Sequence, residues 1–385
     1  MKRKDFLIFF SIVLSVYGLI NFYIFVRAWS ALAFFPEIRF WVITGGILLA
    51  AAYPLGRIVE RKSLSTFTEV IIYVGALWLG EMVYLFLFTA VLDLLRAVNW
   101  LIPFFPDHLT INNQYAPSIA VLSIFSLSTL ISLYGFINAR FPKIKTLEFI
   151  VPKKNSPLQE FRIAAISDIH LGTIMGPKRL QYIIKKVNSL RADVVLLVGD
   201  VFDEDIGRVI KNNLGSLLRG MTSTYGTFAV TGNHEYIGGV EHAVRYLREN
   251  GITVLRDNAV EVGGGIILIG REDRSMNQWS GHQRKSLPEL LEMLPHHLPT
   301  IVLDHQPFHL EEAANAGIDL QLSGHTHHGQ LFPFNGITKK VYEVSWGYKK
   351  KSHTHVYVSC GAGSWGPPIR TGNTPEILSI VLRMQ

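Results

Sequence analysis

Four long apolar stretches occupy the first 140 residues of the chain, and they constrain its folding more than any other feature. Residues 6–26 (FLIFFSIVLSVYGLINFYIFV) and 117–138 (PSIAVLSIFSLSTLISLYGFIN) carry no charge. Residues 40–56 (FWVITGGILLAAAYPLG) are shorter, with Pro54 near their end, and residues 70–92 contain one acid, Glu81. A helix needs roughly 20 mostly apolar residues to cross a bilayer, so all four stretches read as membrane spans. The basic start Met1-Lys2-Arg3-Lys4 is that of a signal peptide, but the apolar run after it exceeds the usual ~7–15 residues of a cleaved one. A retained helix is expected. An acid inside a span often marks a pathway; Glu81 stands alone, among Gly75, Gly80 and other small residues, and reads as a helix-packing contact.

Lysines and arginines near span ends set orientation. With the N-terminus inside, the inner segments hold Lys2, Arg3, Lys4, Arg57, Arg61, Lys62, Arg140, Lys143, Lys145, Lys153 and Lys154, and the outer loops only Arg27, Arg39 and Arg96. Four spans then put everything after residue 140 in the cytoplasm, beside the plasma (inner) membrane; without residues 40–56 as a true span the later part would face the other way. The formal charge of +7 fits inner loops and a surface facing anionic lipid. No RNP, zinc-finger or helix-turn-helix pattern accompanies it, so no nucleic-acid partner is expected. The single cysteine, Cys360, excludes an intrachain disulfide and a cysteine-built metal site.

Past a linker (residues 141–160, marked by Pro142, Pro152 and Pro157) the pattern changes. Short Val- and Ile-rich runs at 161–167, 193–199, 226–232, 265–270, 300–304, 318–324 and 355–361 read as buried strands. Residues 177–191 and 240–250 have helical spacing of apolar positions. The expectation is a transmembrane domain at 1–140 and a layered α/β domain at 161–385.

Polar residues fall at one place in this pattern. FRIAAIS runs into Asp168-Ile169-His170, DVVLLVG into Asp200, GTFAVTG into Asn233-His234-Glu235, TIVLD into His305, and IDLQLSG into His325-Thr326-His327. Singly, an Asp after a strand is more often a turn or cap and a His more often a satisfied core residue. Five strand ends in a row offering Asp, Asn or His have no such explanation, and ligands bind at the carboxyl ends of strands in α/β sheets. Carboxylate, amide and imidazole donors without thiolate suit Mn, Fe, Zn or Mg. Two cations about 3.5–4 Å apart need a bridging anion, and Asp200 is the natural candidate. So few carboxylates leave the centre cationic, attractive to phosphate and able to acidify a water.

The order DIH, GDVFD, GNHE, DHQP and GHTHHGQ resembles the calcineurin-like metallophosphoesterases over residues 160–385. The membrane segment and the ending at residues 361–368 (GAGSWGPP) are similar to the membrane-anchored bacterial YkuE/YaeI-like branch. The resemblance implies a β-sandwich flanked by helices in four layers. It places Asp168, His170 and His327 on a first divalent metal, Asn233, His305 and His325 on a second, with Asp200 bridging. It implies in-line attack on phosphorus by a metal-bound hydroxide, and gives His234 a role in contacting phosphate and helping the leaving group depart; orienting a ligand is the plainer alternative for His234. Asp203 either supports the site or caps a helix. His328 departs from the family's usual small residue and either narrows the cleft or adds a donor. Arg370 either reaches substrate phosphate or is a solvated charge. Lys339-Lys340 and Lys349-Lys350-Lys351 are expected against lipid headgroups or solvent.

The expected function is therefore hydrolysis of a phosphomonoester, phosphodiester or pyrophosphate, on a substrate linked to the membrane, with UDP-2,3-diacylglucosamine pyrophosphate as a specific candidate through the family. A non-catalytic sensor or scaffold would lack some of the seven ligands, and none is missing. A transporter would show polar residues or broken helices in paired positions, and the spans offer only Glu81.

Overall fold

A computed structural model describes residues 3–106, 114–281, 283–292 and 298–385. The chain divides into two compact units, one comprising residues 1–136 with 366–369 and the other the remainder.

The first unit is helical: α1 (Arg3–Ala31), α2 (Pro36–Glu60), α3 (Thr66–Leu101) and α4 (Ala116–Arg140). Each contains a segment long and apolar enough to cross a membrane. Ser65 caps α3 by accepting from Thr68 N–H at 3.1 Å. The helices outrun the expected spans at both ends, because helical hydrogen bonding continues past the last apolar residue. Glu81 accepts from Thr129 Oγ1 at 3.1 Å, a contact between two helices of the kind expected from its isolation.

The second unit contains two six-stranded sheets. The first has the order β1 (Lys143–Val151), β12 (Glu376–Met384), β2 (Glu160–Ile166), β3 (Val194–Val198), β4 (Thr227–Val230), β5 (Ile252–Val254). The second runs β10 (Gly347–Lys351), β11 (Thr354–Val358), β9 (Leu320–Ser323), β8 (Thr300–Leu303), β7 (Ile266–Gly270), β6 (Asn258–Val262). Pairing is parallel along β2-β3-β4-β5 and β7-β8-β9-β11.

The continuous apolar runs have a simple cause. Successive side chains of a strand point to opposite faces, and both faces of these strands are covered. Ile163, Ala165, Val194, Leu196 and Val198 meet Leu268, Ile301, Leu303, Leu320 and Leu322 in a core between the sheets. Their neighbours Ala164, Ile166, Val195 and Leu197 face Leu180, Ile183, Val187 and Leu247 of the helices Pro177–Ser189 and Val240–Glu249. On the far side, Ile267, Ile269 and Val302 pack against Leu287, Leu290 and Ala313. The result is four layers, helix, sheet, sheet, helix, as the resemblance implied.

Residues 141–160 are more than a connection. Lys143–Val151 forms β1, parallel to β12 with Lys143 opposite Glu376. An edge strand exposes most of its side chains, so Lys143, Lys145 and Glu148 disguise it in sequence. β12 is its only sheet neighbour among the described residues, and its polar positions Ser379 and Arg383 broke the apolar run by which the other strands were recognised.

Candidate metal centre

All five motif-bearing strands are parallel within their sheets, so their carboxyl ends lie together. The backbone there is unusual. Asp168 (φ 52°), His170 (φ 53°), Asp200 (φ 50°), His325 (φ 71°) and His327 (φ 45°) all adopt the left-handed conformation. That region costs a non-glycine residue on the order of 1–3 kcal/mol and persists where the surroundings impose it, commonly at functional sites. Five of the seven expected ligands are held this way.

The side chains converge. Asp168, His170 and His327 offer ligand atoms within 4.8 Å of one another, and Asp200, His305 and His325 form a second such group. His170 Nε2 is 2.9 Å from His327 Nε2, and Asp168 Oδ1 is 3.5 Å from His327 Nε2. Asp200 Oδ2 lies 3.1 Å from His305 Nε2 and 4.0 Å from His170 Nε2, one carboxylate reaching toward both groups. Asn233 Oδ1 joins the second group at 2.7 Å from His325 Nδ1. All seven residues are thus brought together.

The donor set fits divalent cations. His170 Nδ1 is buried without a hydrogen-bond partner among the described residues, and an orphaned buried polar atom is costly unless something outside the protein satisfies it. His305 Nδ1 lies 2.7 Å from the Val198 carbonyl; donation there turns Nε2 toward Asp200 Oδ2, the usual way a second contact orients a ligand's ring.

Electrostatics follow from burial and charge. Burial raises the Asp168 carboxyl to about 6. Burial would also raise Asp200, but the imidazoles of His305 and His234 hold it well below the usual carboxylate range. Burial opposes charging of His305, yet the Asp200 carboxylate outweighs it and holds the ring's pKa well above that of free histidine. Burial, with Arg370 and His170, keeps His327 unprotonated, and burial with His305 lowers His325 to about 3.

His234 sits beside the first group, its ring 4.6 Å from that of His170 and its Nδ1 in contact with the Asp203 carbonyl. Burial disfavours its charged form, but Asp200 and Asp203 prevail and raise its pKa. Trp365, more than half exposed, approaches His234 with ring centroids 5.7 Å apart. Asp203 lies beside the site, with Oδ1 3.9 Å from His170 Nδ1, and forms a further group of ligand-type atoms with His170 and His234.

Arg370 is neither a solvated charge nor a group reaching outward. It is fully buried and donates to the carbonyls of Cys360 and Gly363, to Asn373 Oδ1 and to His327 Nδ1 at 2.8 Å. Asn373 in turn donates to the His327 carbonyl. His328 is buried, with Nδ1 3.0 Å from Ser345 Oγ and its ring 5.2 Å from Trp346. Glu235 accepts from the N–H groups of Asp200, Phe202 and Gly232 and so shapes the turn carrying Asp200. Its place in the GNHE motif was the signal for it; nothing in the sequence marked Asn373.

Comparison with known proteins gives the chain's relatives. The family described as calcineurin-like phosphoesterase matches residues 161–329. An uncharacterized metallophosphoesterase of Helicobacter pylori is 37% identical over 234 residues, 60% of this chain and 60% of that protein, so the match spans less than two thirds of this relative's length. The uncharacterized metallophosphoesterase Cj0846 of Campylobacter jejuni is 30% identical over 391 residues, 98% of this chain and 99% of its own. A Danio rerio transmembrane protein with metallophosphoesterase domain is 34% identical over 270 residues, covering 67% of this chain and 61% of that protein.

Proposed function

Since the chain belongs to the calcineurin-like metallophosphoesterase family, we propose that it is a membrane-anchored hydrolase that uses a pair of divalent cations to cleave a phosphate ester linked to the bilayer. The observation that carries this reading is Asp200, whose Oδ2 stands 3.1 Å from His305 and 4.0 Å from His170, between two groups of ligand-type side chains. Asp168, His170 and His327 would hold one cation and Asn233, His305 and His325 the other. The cations, when bound, supply positive charge to a phosphoryl group and acidify a water.

The chain's own residues do the rest. Burial disfavours a charged His234, but Asp200 and Asp203 raise its pKa, which favours its giving a proton to a departing alkoxide. Trp365 borders His234 and presents an apolar wall to the leaving group. The buried Arg370 fixes the His327 ring. The lysine and arginine distribution between spans supports a catalytic domain in the cytoplasm. Cleavage of a nucleotide-linked lipid pyrophosphate such as UDP-2,3-diacylglucosamine is the narrowest version of this reading, supported by family resemblance and the membrane helices.

The test is Asp200→Asn in the full chain, compared with wild type for bound metal and for hydrolysis of bis(p-nitrophenyl) phosphate. Loss of both metal and activity is expected; an undiminished rate in pure Asp200→Asn protein would refute the two-cation centre.

A further inference from the structure

The helix Asn335–Val341 buries none of its residues. Ile337 and Val341, four positions apart, share a helical face with Phe334 at its start, and the exposures of the three are 59%, 58% and 37%. Trp346, a few residues on, is 42% exposed. A surface helix ordinarily turns its apolar stripe toward the core; this one turns it outward. Stepping 100° per residue places Lys340 on one flank of the stripe and Lys339 on the face opposite it. Both are exposed, as are Lys349 and Lys350 on the following strand. Lys349 pairs with Glu343, whereas Lys339, Lys340 and Lys350 have no ion pair among the described residues.

An outward apolar stripe with an uncompensated lysine on its flank and others on the polar face and the next strand is the composition of a segment lying in a bilayer interface. The apolar side chains enter the acyl boundary, and the lysines reach back to anionic headgroups. A bilayer is at hand, since the same chain carries four helices apolar enough to cross one.

The segment is also fastened to the metal-ligand loop. Thr326, between His325 and His327, donates to the Ser345 carbonyl at 2.5 Å, and His328 meets Ser345 Oγ. The Tyr342 ring stands 6.1 Å from that of His325. A cavity of about 480 Å³ is lined by His328 together with Lys339, Tyr342, Trp346, Tyr348 and Lys349.

We propose that residues 334–350 form an interfacial ridge that seats the mouth of the metal centre on anionic lipid, so that the phosphate ester it receives is part of a lipid headgroup, whose outer portion enters the cavity bearing Lys339 and Lys349. This rests on the hydrolase reading and adds to it the surface that delivers the substrate.

Two measurements on the full chain in lipid nanodiscs test it. Cys360 is buried, so Ile337→Cys can carry a single environment-sensitive fluorophore, with Arg219→Cys as the control. The label at 337 should be quenched by brominated acyl chains, more so with anionic lipid, and the label at 219 should not. Equal quenching at the two sites overturns the ridge, as does shielding at 337 that tracks protein concentration, which would mean a second copy covers it. The second measurement pairs two substrates with one leaving group: bis(p-nitrophenyl) phosphate in water, and a diacylglycerol p-nitrophenyl phosphodiester in anionic vesicles. The combined variant Phe334→Ser, Ile337→Ser, Val341→Ser should lose about tenfold or more on the lipid substrate and keep its rate on the soluble one. A parallel fall on both, or no fall on the lipid, overturns the proposal. Wild-type failure on both substrates would strike the hydrolase reading alone, because the quenching measurement stands apart from activity.

Discussion

The guanidinium of Arg370 donates to Nδ1 of His327 across 2.8 Å, inside a shell that excludes water from both. A guanidinium can only donate, so Nδ1 accepts, and in the neutral ring the proton lies on Nε2, toward His170. Arg370 thereby fixes the ring's plane, and a cation binding at Nε2 would have to displace the proton held there. Arg370→Lys keeps the charge but loses the planar fork. It should weaken metal binding about tenfold or more, in line with other residues that orient metal ligands, with the thermal midpoint lowered by the lost buried hydrogen bonds and activity restored by excess metal. Metal titrations followed by activity and by melting would check this; lost activity that excess metal does not restore would give Arg370 some other role.

Metal binding should release protons. In the metal-free protein the Asp200 carboxylate holds His305 protonated at neutral pH, and a ligating imidazole must be unprotonated. The folded pKa is raised, so the ring holds its proton more tightly than a free imidazole and cations compete with that proton. Affinity should fall as pH falls, by roughly tenfold per unit for each proton displaced. Calorimetry in buffers of differing ionisation enthalpy would measure the release. A binding constant flat from pH 6 to pH 8 would contradict it.

If His234 protonates the leaving group, its removal should matter most where that group leaves poorly. His234→Asn should lower kcat on an alkyl phosphodiester by about 10²–10⁴ and on a p-nitrophenyl ester by much less, with KM changed little. An equal loss on both would assign His234 to orienting the ligands instead.

Gly232 leaves room for Asp200. A Cβ added there would come within 2.2 Å of Asp200 Oδ1 and 2.6 Å of its amide nitrogen. Gly232→Ala should therefore displace the bridging carboxylate, with metal content and kcat/KM both falling, the latter by roughly 100-fold, the scale expected when a reacting geometry moves by about 1 Å. Gly176→Ala meets nothing within 4 Å and serves as the silent comparison in the same metal and activity measurements.

The sequence carried the site more fully than the scaffold. The seven ligand-type residues could be read because each follows a strand buried on both faces, where an apolar run stops abruptly at Asp, Asn or His; Asp200 after Val198 and Gly199 is the clearest case. Those strands were legible for the same reason. β1 and β10 were not, since edge positions tolerate lysines such as Lys145 and Lys350 and the apolar period disappears. Arg370 could be singled out but not understood: a lone arginine after Pro367-Pro368 gives no sign that Cys360, Gly363, Asn373 and His327 will close around it. The outward stripe of Phe334, Ile337 and Val341 was hidden too, because three apolar residues among lysines look the same in sequence whether they face core or water.

The pairing of β1 with β12 bears on how the domain is made. Residues 143–151 leave the ribosome soon after the last membrane helix, yet the strand they pair with is encoded more than half the chain later, and β12 also stands between β1 and β2. During synthesis β1 therefore waits as an unpaired segment while the neighbouring spans are inserted, and long-range pairing of this kind is slow. Closure of the first sheet is a late event in translation, so a ribosome stalled before residue 376 would hold a membrane-inserted chain whose catalytic domain cannot yet complete its core.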